Sequence, residues 1–318
     1  MLTIRKILFP TDFSPCAESA FAHASTLARQ YKAELHILHV GIWPMMIPSY
    51  GLDTLYPAFE DGRVMDQISD AAKEQLHKHA CLDTVTDLDV AEAFVTGDAA
   101  GPAILEYAAE NDVDLIVMGT HGRRGIRKWM MGSVAQEVVR YAVCPVFTVN
   151  PDSIGENGLD VSRILVPVDF SEQTDPLVRV AKALAETYES AIDLLHVVAH
   201  VNLPLVYGVE AIYPAVDEVI IRSKEALDAL AAGAQGPASK ITTHVLSGDP
   251  AHQIASFAEQ EDIDLIVLAT HGFTGVERLL LGSVAEKVIR SATHPVFTVN
   301  SFGKSLLPEN SSDAGAPS

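Results

Sequence analysis

The sequence predicts an α/β protein with two tandem Rossmann-like or flavodoxin-like domains, each a five-stranded parallel sheet with helices on both faces. Three observations support this fold class. Apolar strand segments alternate with helical segments along the chain, which is typical of parallel sheets. The same segments return in the same order in the second half. The length of 318 residues is ordinary for two such domains.

The repeat can be read directly from the letters. DLIVMGTHG, starting at Asp114, returns as DLIVLATHG at Asp264, and GSVA and PVFTVN return at the same spacing of 150 residues. ILFPTDFS, starting at Ile7, returns as ILVPVDFS at Ile164. Ordered matches of this kind indicate a tandem duplication. We therefore predict a first domain at 1–150, a linker at 151–161, a second domain at 162–300 and a disordered tail at 301–318.

Each element of the first copy has its own signal. The fourth strand contains LIVM, a continuous apolar run typical of a strand buried on both faces. Ser14 followed by Pro15 is an N-cap with a proline in the first helical turn. Such signals place strands at 7–9, 34–40, 89–96, 114–119 and 145–150, and helices at 17–31, 62–80, 99–111 and 133–141. Because crossovers are right-handed, the expected strand order in each sheet is 3-2-1-4-5.

This strand order predicts where a ligand binds. In an open α/β sheet, ligands lie beyond the carboxyl ends of the strands, at the point where the strand order reverses. That point lies between the first and fourth strands. Asp12 follows the first strand, and the glycine-rich segment 119–133 follows the fourth. The two loops are therefore expected to converge on one crevice.

The chemistry of the glycine-rich segment favours an anion. Gly119 and Gly122 let a ligand approach the main chain closely. Gly132 and Ser133 open the next helix, where unpaired N–H groups and the helix dipole attract negative charge. A basic cluster lies between these glycines, in a chain of net charge −20, and comprises Arg123, Arg124, Arg127 and Lys128.

Purely local interpretations of these residues stay open. The carboxylates of Asp12 and Asp169 equally suit a turn or a helix cap beside Ser14 and Ser171. The glycine-rich segment also suits a tight connection with helix capping, and the basic cluster a solvated face.

Composition and motifs exclude several classes of protein. The net charge opposes partners that are nucleic acids or anionic membranes. Three cysteines without a C-x-x-C pair suit a reduced cytoplasm. We expect no signal peptide, because no long apolar run with a small-residue cleavage site follows Met1, and no membrane span, because no apolar run reaches about 18 residues. It also has no P-loop, no G-x-S-x-G and no G-x-G-x-x-G after the first strand, so we assign no catalytic residue and no metal ligand.

The pattern G-x2-G-x9-G-S, formed by Gly119, Gly122, Gly132 and Ser133, resembles that of the universal stress protein family. The aspartate after the first strand and the HV in the second strand add to this resemblance, which covers nearly the whole chain. It implies binding of ATP, AMP or ADP, with or without Mg²⁺. It implies first-domain contacts at Pro10, Asp12, Val40, Met118, Gly119, Gly122, Arg123, Gly132, Ser133 and Val134. The implied second-domain contacts are Asp169, Val197, Leu268, Gly272, Gly282, Ser283 and Val284.

The second copy departs from this pattern. Ala269 stands where the first copy has Gly119, and the following loop carries fewer basic residues. An alanine is harmless at negative φ and costly at positive φ. We therefore expect weaker nucleotide binding, or a purely structural role, in the second domain.

The predicted function is that of a cytoplasmic, adenine-nucleotide-binding stress-response module with an unidentified protein partner. Slow ATP hydrolysis is one alternative, and a scaffold that binds no ligand, or binds a lipid or another small molecule, is a second. The two PVFTVN segments are expected to be sheet edges. The resemblance implies that such edges pair antiparallel, here within one chain as an internal pseudo-dimer. A further homodimer stays open.

Overall fold

The structure is a computed structural model that describes residues 2–42, 63–82, 85–120, 131–150, 161–199, 213–234, 240–270, 281–300 and 303–308. Strands and helices alternate throughout these ranges. The strands are β1 (Lys6–Pro10), β2 (Glu34–Ile42), β3 (Val90–Gly97), β4 (Leu115–Gly119), β5 (Val146–Val149), β6 (Arg163–Pro167), β7 (Ala191–Ala199), β8 (Ile241–Gly248), β9 (Leu265–Ala269) and β10 (Val296–Val299). The helices are α1 (Pro15–Tyr31), α2 (Arg63–Ala80), α3 (Ala100–Glu110), α4 (Ser133–Tyr141), α5 (Thr174–Tyr188), α6 (Tyr213–Gly233), α7 (Pro250–Gln260) and α8 (Ser283–Ser291).

The strands of both repeats form one sheet in the order β3-β2-β1-β4-β5-β10-β9-β6-β7-β8. Within each repeat the pairing is parallel and the order is 3-2-1-4-5, which confirms the predicted fold class. Among the described strands, only β5 and β10 pair antiparallel. The two repeats therefore share a single continuous sheet.

Helices cover both faces of this sheet and enclose two apolar cores. One core lies under α1, α2, α5 and α6, with Leu27 and Leu184 among its fully buried side chains. The other lies under α3, α4, α7 and α8 and includes Val138 and Val288. Each core contains residues of both repeats, so burial of apolar surface joins the repeats as well as stabilising each one.

Hydrogen bonds reinforce the seam between β5 and β10. The hydroxyl of Thr148 donates to the carbonyl of Val296 at 3.2 Å, and Thr298 donates to Val146 at 2.9 Å. The amide of Asn150 reaches into the second repeat and donates to the carbonyl of Thr293 at 3.0 Å. Thr148 and Thr298 are equivalent positions of the two PVFTVN segments, so each repeat donates the same kind of hydrogen bond across the seam.

The segment predicted to be a disordered tail is partly ordered. Leu306 is buried in the core under α1, and the carbonyl of Leu306 accepts a hydrogen bond from the amide of Thr3 at 2.7 Å. The ammonium of Lys304 lies 2.7 Å from a carboxylate oxygen of Asp112 and 2.7 Å from one of Asp114. The prediction was wrong for 303–308, because one leucine and one lysine find specific partners in the first repeat. The predicted linker residues 151–160 lie outside the described residues.

Candidate functional site

A tight turn follows the first strand of each repeat. The carboxylate of Asp12 accepts a hydrogen bond from the amide of Ser14 at 3.1 Å, and Asp169 accepts one from Ser171 at 3.0 Å. The residue between them has a left-handed backbone in both copies, with φ of 59° at Phe13 and at Phe170. Bulky residues rarely adopt this conformation, and where they do, the strain is often associated with a functional site. The turn reverses the chain directly above the carboxyl end of the strand.

A histidine of the second strand fixes this turn in each repeat. Nδ1 of His39 lies 2.7 Å from the carbonyl oxygen of Thr11, and the His39 ring stacks on Phe13 at 4.6 Å. His196 makes the same contact with the carbonyl of Val168 at 2.9 Å. Because a carbonyl only accepts, the Nδ1 atom of each ring carries the proton. Sequence reasoning used the HV pair only as a family marker and missed this positioning role.

The loop after the fourth strand returns close to its starting point. The amide of Gly132 donates to the carbonyl of Thr120 at 2.7 Å, and Gly282 donates to Thr270 at the same distance. Helices α4 and α8 begin immediately afterwards, so their N-termini lie at the carboxyl ends of β4 and β9. The loop residues between these anchors, including Gly122, Arg123, Gly272 and the basic cluster, lie outside the described residues.

The predicted first-repeat residues lie at the carboxyl ends of three adjacent strands. Strand β1 lies between β2 and β4 in the sheet. Some of these predicted residues lie near or just after the ends of the strands, and the others lie at the start of α4. The residues are Pro10, Asp12, Val40, Met118 and Gly119 in the first group, and Gly132, Ser133 and Val134 in the second.

In the second repeat, the corresponding residues line a cavity of about 410 Å³. That volume lies within the range of about 300–1,000 Å³ that small-molecule sites occupy. The cavity is bounded by the carboxyl ends of β6, β7 and β9 and by the start of α8. It brings together Asp169, Val197, Leu268, Gly282, Ser283 and Val284. Their contact with a nucleotide stays a prediction.

The structure explains the need for glycine at position 119 differently from the sequence analysis. Neither Gly119 nor Ala269 has a positive φ. A Cβ atom on Gly119 would lie 2.9 Å from Sγ of Cys16 and 3.0 Å from the Cys16 main chain. The close approach of α1 therefore requires this glycine, without reference to a ligand. Ala269 by itself gives no reason for weaker binding in the second repeat.

The first turns of α4 and α8 differ in charge. Gln136 of α4 corresponds to Glu286 of α8, which is the acidic residue in the first turn of that helix. The next residue reverses the difference, since Glu137 corresponds to Lys287. However, Glu137 lies against Gly101 of α3, and Lys287 lies 3.8 Å from Asp249 next to α7. A negative charge in the first turn competes with a bound anion.

The described residues hold no group of three or more His, Cys, Asp or Glu side chains suited to a metal ion. In the same part of the chain, every helix is too short or too polar to cross a membrane.

Comparison with known proteins identifies the family. The universal stress protein family profile matches residues 3–150 and again residues 161–300. The chain belongs to the universal stress protein family. A universal stress protein of Methanocaldococcus jannaschii is 37% identical over 152 residues, which cover 46% of this chain and 88% of that protein.

Two solved universal stress proteins of Archaeoglobus fulgidus are also similar. One covers 94% of this chain and 96% of its own, with a TM-score of 0.56 at 19% identity, and shows the same tandem fold. The other was solved in complex with dAMP; it is 25% identical and covers 44% of this chain and 99% of its own, with a TM-score of 0.33.

Proposed function

We propose that the protein is an adenine-nucleotide-binding regulatory module of the stress response, and that its first repeat holds the stronger site. The observation that carries this proposal is the cavity of about 410 Å³ at the point where the strand order reverses. Residues from five separate segments of the second repeat meet there. The first repeat has the same turn, the same strand order and the same helix start.

The walls of the cavity suit the two chemically different ends of a nucleotide. Apolar side chains such as Val197, Ile254 and Leu268 offer a surface for a flat base. The start of α8 at Gly282 and Ser283 offers N–H groups and a positive helix end for a phosphate. The family member solved with dAMP binds a ligand of this class, which supports an adenine nucleotide over other anions.

The proposed difference between the repeats rests on charge. Glu286 places a negative charge in the first turn of α8, whereas α4 has no acidic residue there. The basic cluster of residues 123–128 adds positive charge to the loop of the first repeat, whereas the loop of the second carries Arg278 next to Glu277. Both differences favour a polyphosphate in the first repeat.

The biological setting of the proposal is a reduced cytoplasm. None of the three cysteines, all of which lie within the described residues, forms a disulfide, as expected in that compartment. The nucleotide would act through a protein partner rather than through turnover. The edges of the two repeats formed by β5 and β10 pair with each other within one chain, so a homodimer would require a different surface.

The nucleotide content of the purified chain tests the proposal directly. We expect adenine nucleotide in the native protein, and tighter binding at one of two sites in calorimetric titrations with ATP and AMP. Gly132→Val should remove the tighter site, because it adds a branched side chain where the helix start meets the phosphates. Gly233→Val is the matched control, since a Cβ atom at Gly233 has no neighbour within 4 Å.

Three outcomes would contradict parts of the proposal. A chain that neither contains nor binds adenine nucleotide would leave the scaffold alternative. Equal binding by the wild type and Gly132→Val, with one site each, would place the site in the second repeat. Rapid ATP turnover that is lost in Asp12→Asn would favour the hydrolase alternative.

A further inference from the structure

The helices that follow the first strands begin differently in the two repeats. In α1, Ser14 is the N-cap, and its hydroxyl accepts a hydrogen bond from the amide of Ala17 at 3.3 Å. Its counterpart Ser171 accepts a hydrogen bond from the amide of Thr174 through its main-chain carbonyl instead, at 3.0 Å. Helix α5 consequently starts at Thr174, whose counterpart Ala17 is the third residue of α1.

The shifted start follows from the position of proline. Pro15 opens α1, where its missing N–H and fixed φ suit the first helical position. In the second repeat that position holds Glu172, and a proline occurs only at Pro176, in the first turn of α5. The residues between Asp169 and Pro176 therefore form a separate turn before the helix. This turn takes the hydroxyl of Ser171 away from the capping position.

Two buried hydroxyl groups result. Oγ of Ser171 and Oγ1 of Thr174 have no hydrogen-bond partner among the described residues, and Thr174 is only 6% exposed. Leaving a buried polar group without a partner costs about 1–3 kcal/mol. Both residues line the cavity of the second repeat. In the first repeat, the hydroxyl of Ser14 is used as a cap and Ala17 has no hydroxyl. The unsatisfied pair is thus specific to the second repeat and indicates that the occupant of the cavity satisfies it.

Charge decides which part of an occupant these hydroxyls bind. Asp169 lies in the same wall, and Asp175 occupies the first turn of α5. Glu172 is in the turn before the helix. Three carboxylates at this edge oppose a phosphate, which instead suits the start of α8. A neutral group with several hydroxyls fits, because carboxylates accept and the serine and threonine hydroxyls either donate or accept.

We propose that Ser171 and Thr174, together with Asp169, bind the sugar hydroxyls of a ribonucleotide, so that the second repeat selects nucleotides by their ribose. This proposal rests on the proposed function, since it names the part of the nucleotide that this cavity reads. The first repeat lacks the pair, because the hydroxyl of Ser14 caps α1 and Ala17 stands at the position of Thr174. The duplicated sites therefore differ in sugar selectivity as well as in charge.

Binding of AMP and of 2′,3′-dideoxy-AMP to the full-length chain tests the proposal. The two ligands share base and phosphate, and they differ only in the ribose hydroxyls. The Gly132→Val background isolates the second site, which calorimetry verifies as one site per chain. In this background we expect AMP to bind roughly tenfold more tightly than the dideoxy analogue, the effect of a hydrogen bond to a buried group.

Variants of Thr174 connect the selectivity to its hydroxyl. Thr174→Val keeps the shape and removes the hydroxyl, so the tenfold preference should fall to about twofold or less. Because that hydroxyl has no partner in the ligand-free protein, the melting temperature should stay equal or rise. Thr174→Ser should retain the preference. Ser14→Ala is the matched control, since it removes the cap of α1 and should lower the melting temperature without changing the preference.

Each alternative outcome is decisive. Equal binding of AMP and the dideoxy analogue by the Gly132→Val chain would overturn the sugar selectivity and leave the proposed nucleotide function intact. A preference that survives in Thr174→Val would overturn the role of this hydroxyl. If the wild type binds one AMP and the Gly132→Val chain binds none, only the first repeat is a site and the inference fails. If neither binds, the proposed function fails with it.

Discussion

Nδ1 of His23 in α1 lies 3.4 Å from the hydroxyl oxygen of Tyr188 in α5, so the two repeats meet through a buried polar pair. The His23 ring also packs edge-on against Phe147 of the seam strand β5, with ring centroids 4.9 Å apart. Its other nitrogen, Nε2, is buried and has no hydrogen-bond partner among the described residues. A protonated ring would therefore bury a second N–H group without an acceptor.

Acid should weaken the junction through His23. Burial lowers the pKa of His23 from 6.5 to about 4. The unfolded chain therefore binds more protons than the folded one between these values, so stability is complete above pH 6.5 and falls as the pH drops towards 4. The loss reaches about 3 kcal/mol at most. We expect His23→Leu to flatten the pH dependence of the free energy of unfolding, measured by urea denaturation between pH 7 and 4.5. An unchanged pH dependence of the free energy of unfolding in His23→Leu would contradict this prediction. His77→Leu, which replaces an exposed histidine, is the control.

The ordered end of the chain should stabilise the first repeat. Lys304→Met removes the ammonium that pairs with the buried carboxylate of Asp114 and leaves that carboxylate only its bonds from the amides of Arg5 and Lys6, so it should lower the free energy of unfolding by about 1–3 kcal/mol. Truncation after residue 300 should cost more, because it also removes the buried side chain of Leu306. Urea denaturation measures both effects. Removal of 309–318 alone is the control and should change little; equal losses from both truncations would contradict the prediction.

The effect of Lys304→Met should depend on pH in a defined direction. Hydrogen bonding to Lys304 lowers the pKa of Asp112 below its usual 3.8. Burial lowers the pKa of Lys304, but its bonds to Asp112 and Asp114 outweigh this and raise it above 10.5. The stabilisation is therefore present between about pH 4 and pH 10.5, and it is lost below and above this window. The measurement is the difference in melting temperature between the wild type and Lys304→Met. If this difference is the same at pH 3 and pH 7, the ion pairs do not cause it.

Gly119 should be needed for packing rather than for a special backbone angle. Gly119→Ala brings a methyl group against Cys16 and should destabilise the protein by about 1–3 kcal/mol. Cys16→Ala in the same chain should recover part of this loss, because it removes Sγ but leaves the main-chain contacts. Ala269→Gly is the reciprocal control and should cost about 0.5–1 kcal/mol through chain entropy alone. Gly119→Ala with wild-type stability would show that α1 can move away at no cost.

Exchanging the first-turn residues should shift phosphate affinity between the repeats. Glu286→Gln removes a negative charge from the start of α8, and Gln136→Glu adds one to α4. An interaction of about 0.3–1 kcal/mol corresponds to a change of about two- to fivefold. Titration with ATP at low ionic strength should show tighter binding at the second site in Glu286→Gln and weaker binding at the first in Gln136→Glu. Both effects should shrink in high salt; shifts of the same sign in both variants would refute the electrostatic origin.

The sequence by itself determined the elements of this protein, their order and the edge of the sheet at which the candidate site lies. Apolar runs such as LIVM, the Ser14–Pro15 helix start and the repeated letters are local signals, and chain-crossing rules convert them into the order 3-2-1-4-5. The same rules brought the turn at Asp169 and the helix start at Gly282 to one crevice without knowledge of any contact.

Only the tertiary structure decided what depends on residues far apart in the chain. Thr148 and Val296 meet across the seam of one continuous sheet. The close approach of Cys16 leaves no room for a side chain at Gly119. The docking of Leu306 and the unsatisfied hydroxyl of Thr174 depend on packing that no local pattern records. The physical reason is that propensity and periodicity act over a few neighbouring residues. Steric fit and hydrogen-bond satisfaction act between segments that meet only after the chain has folded.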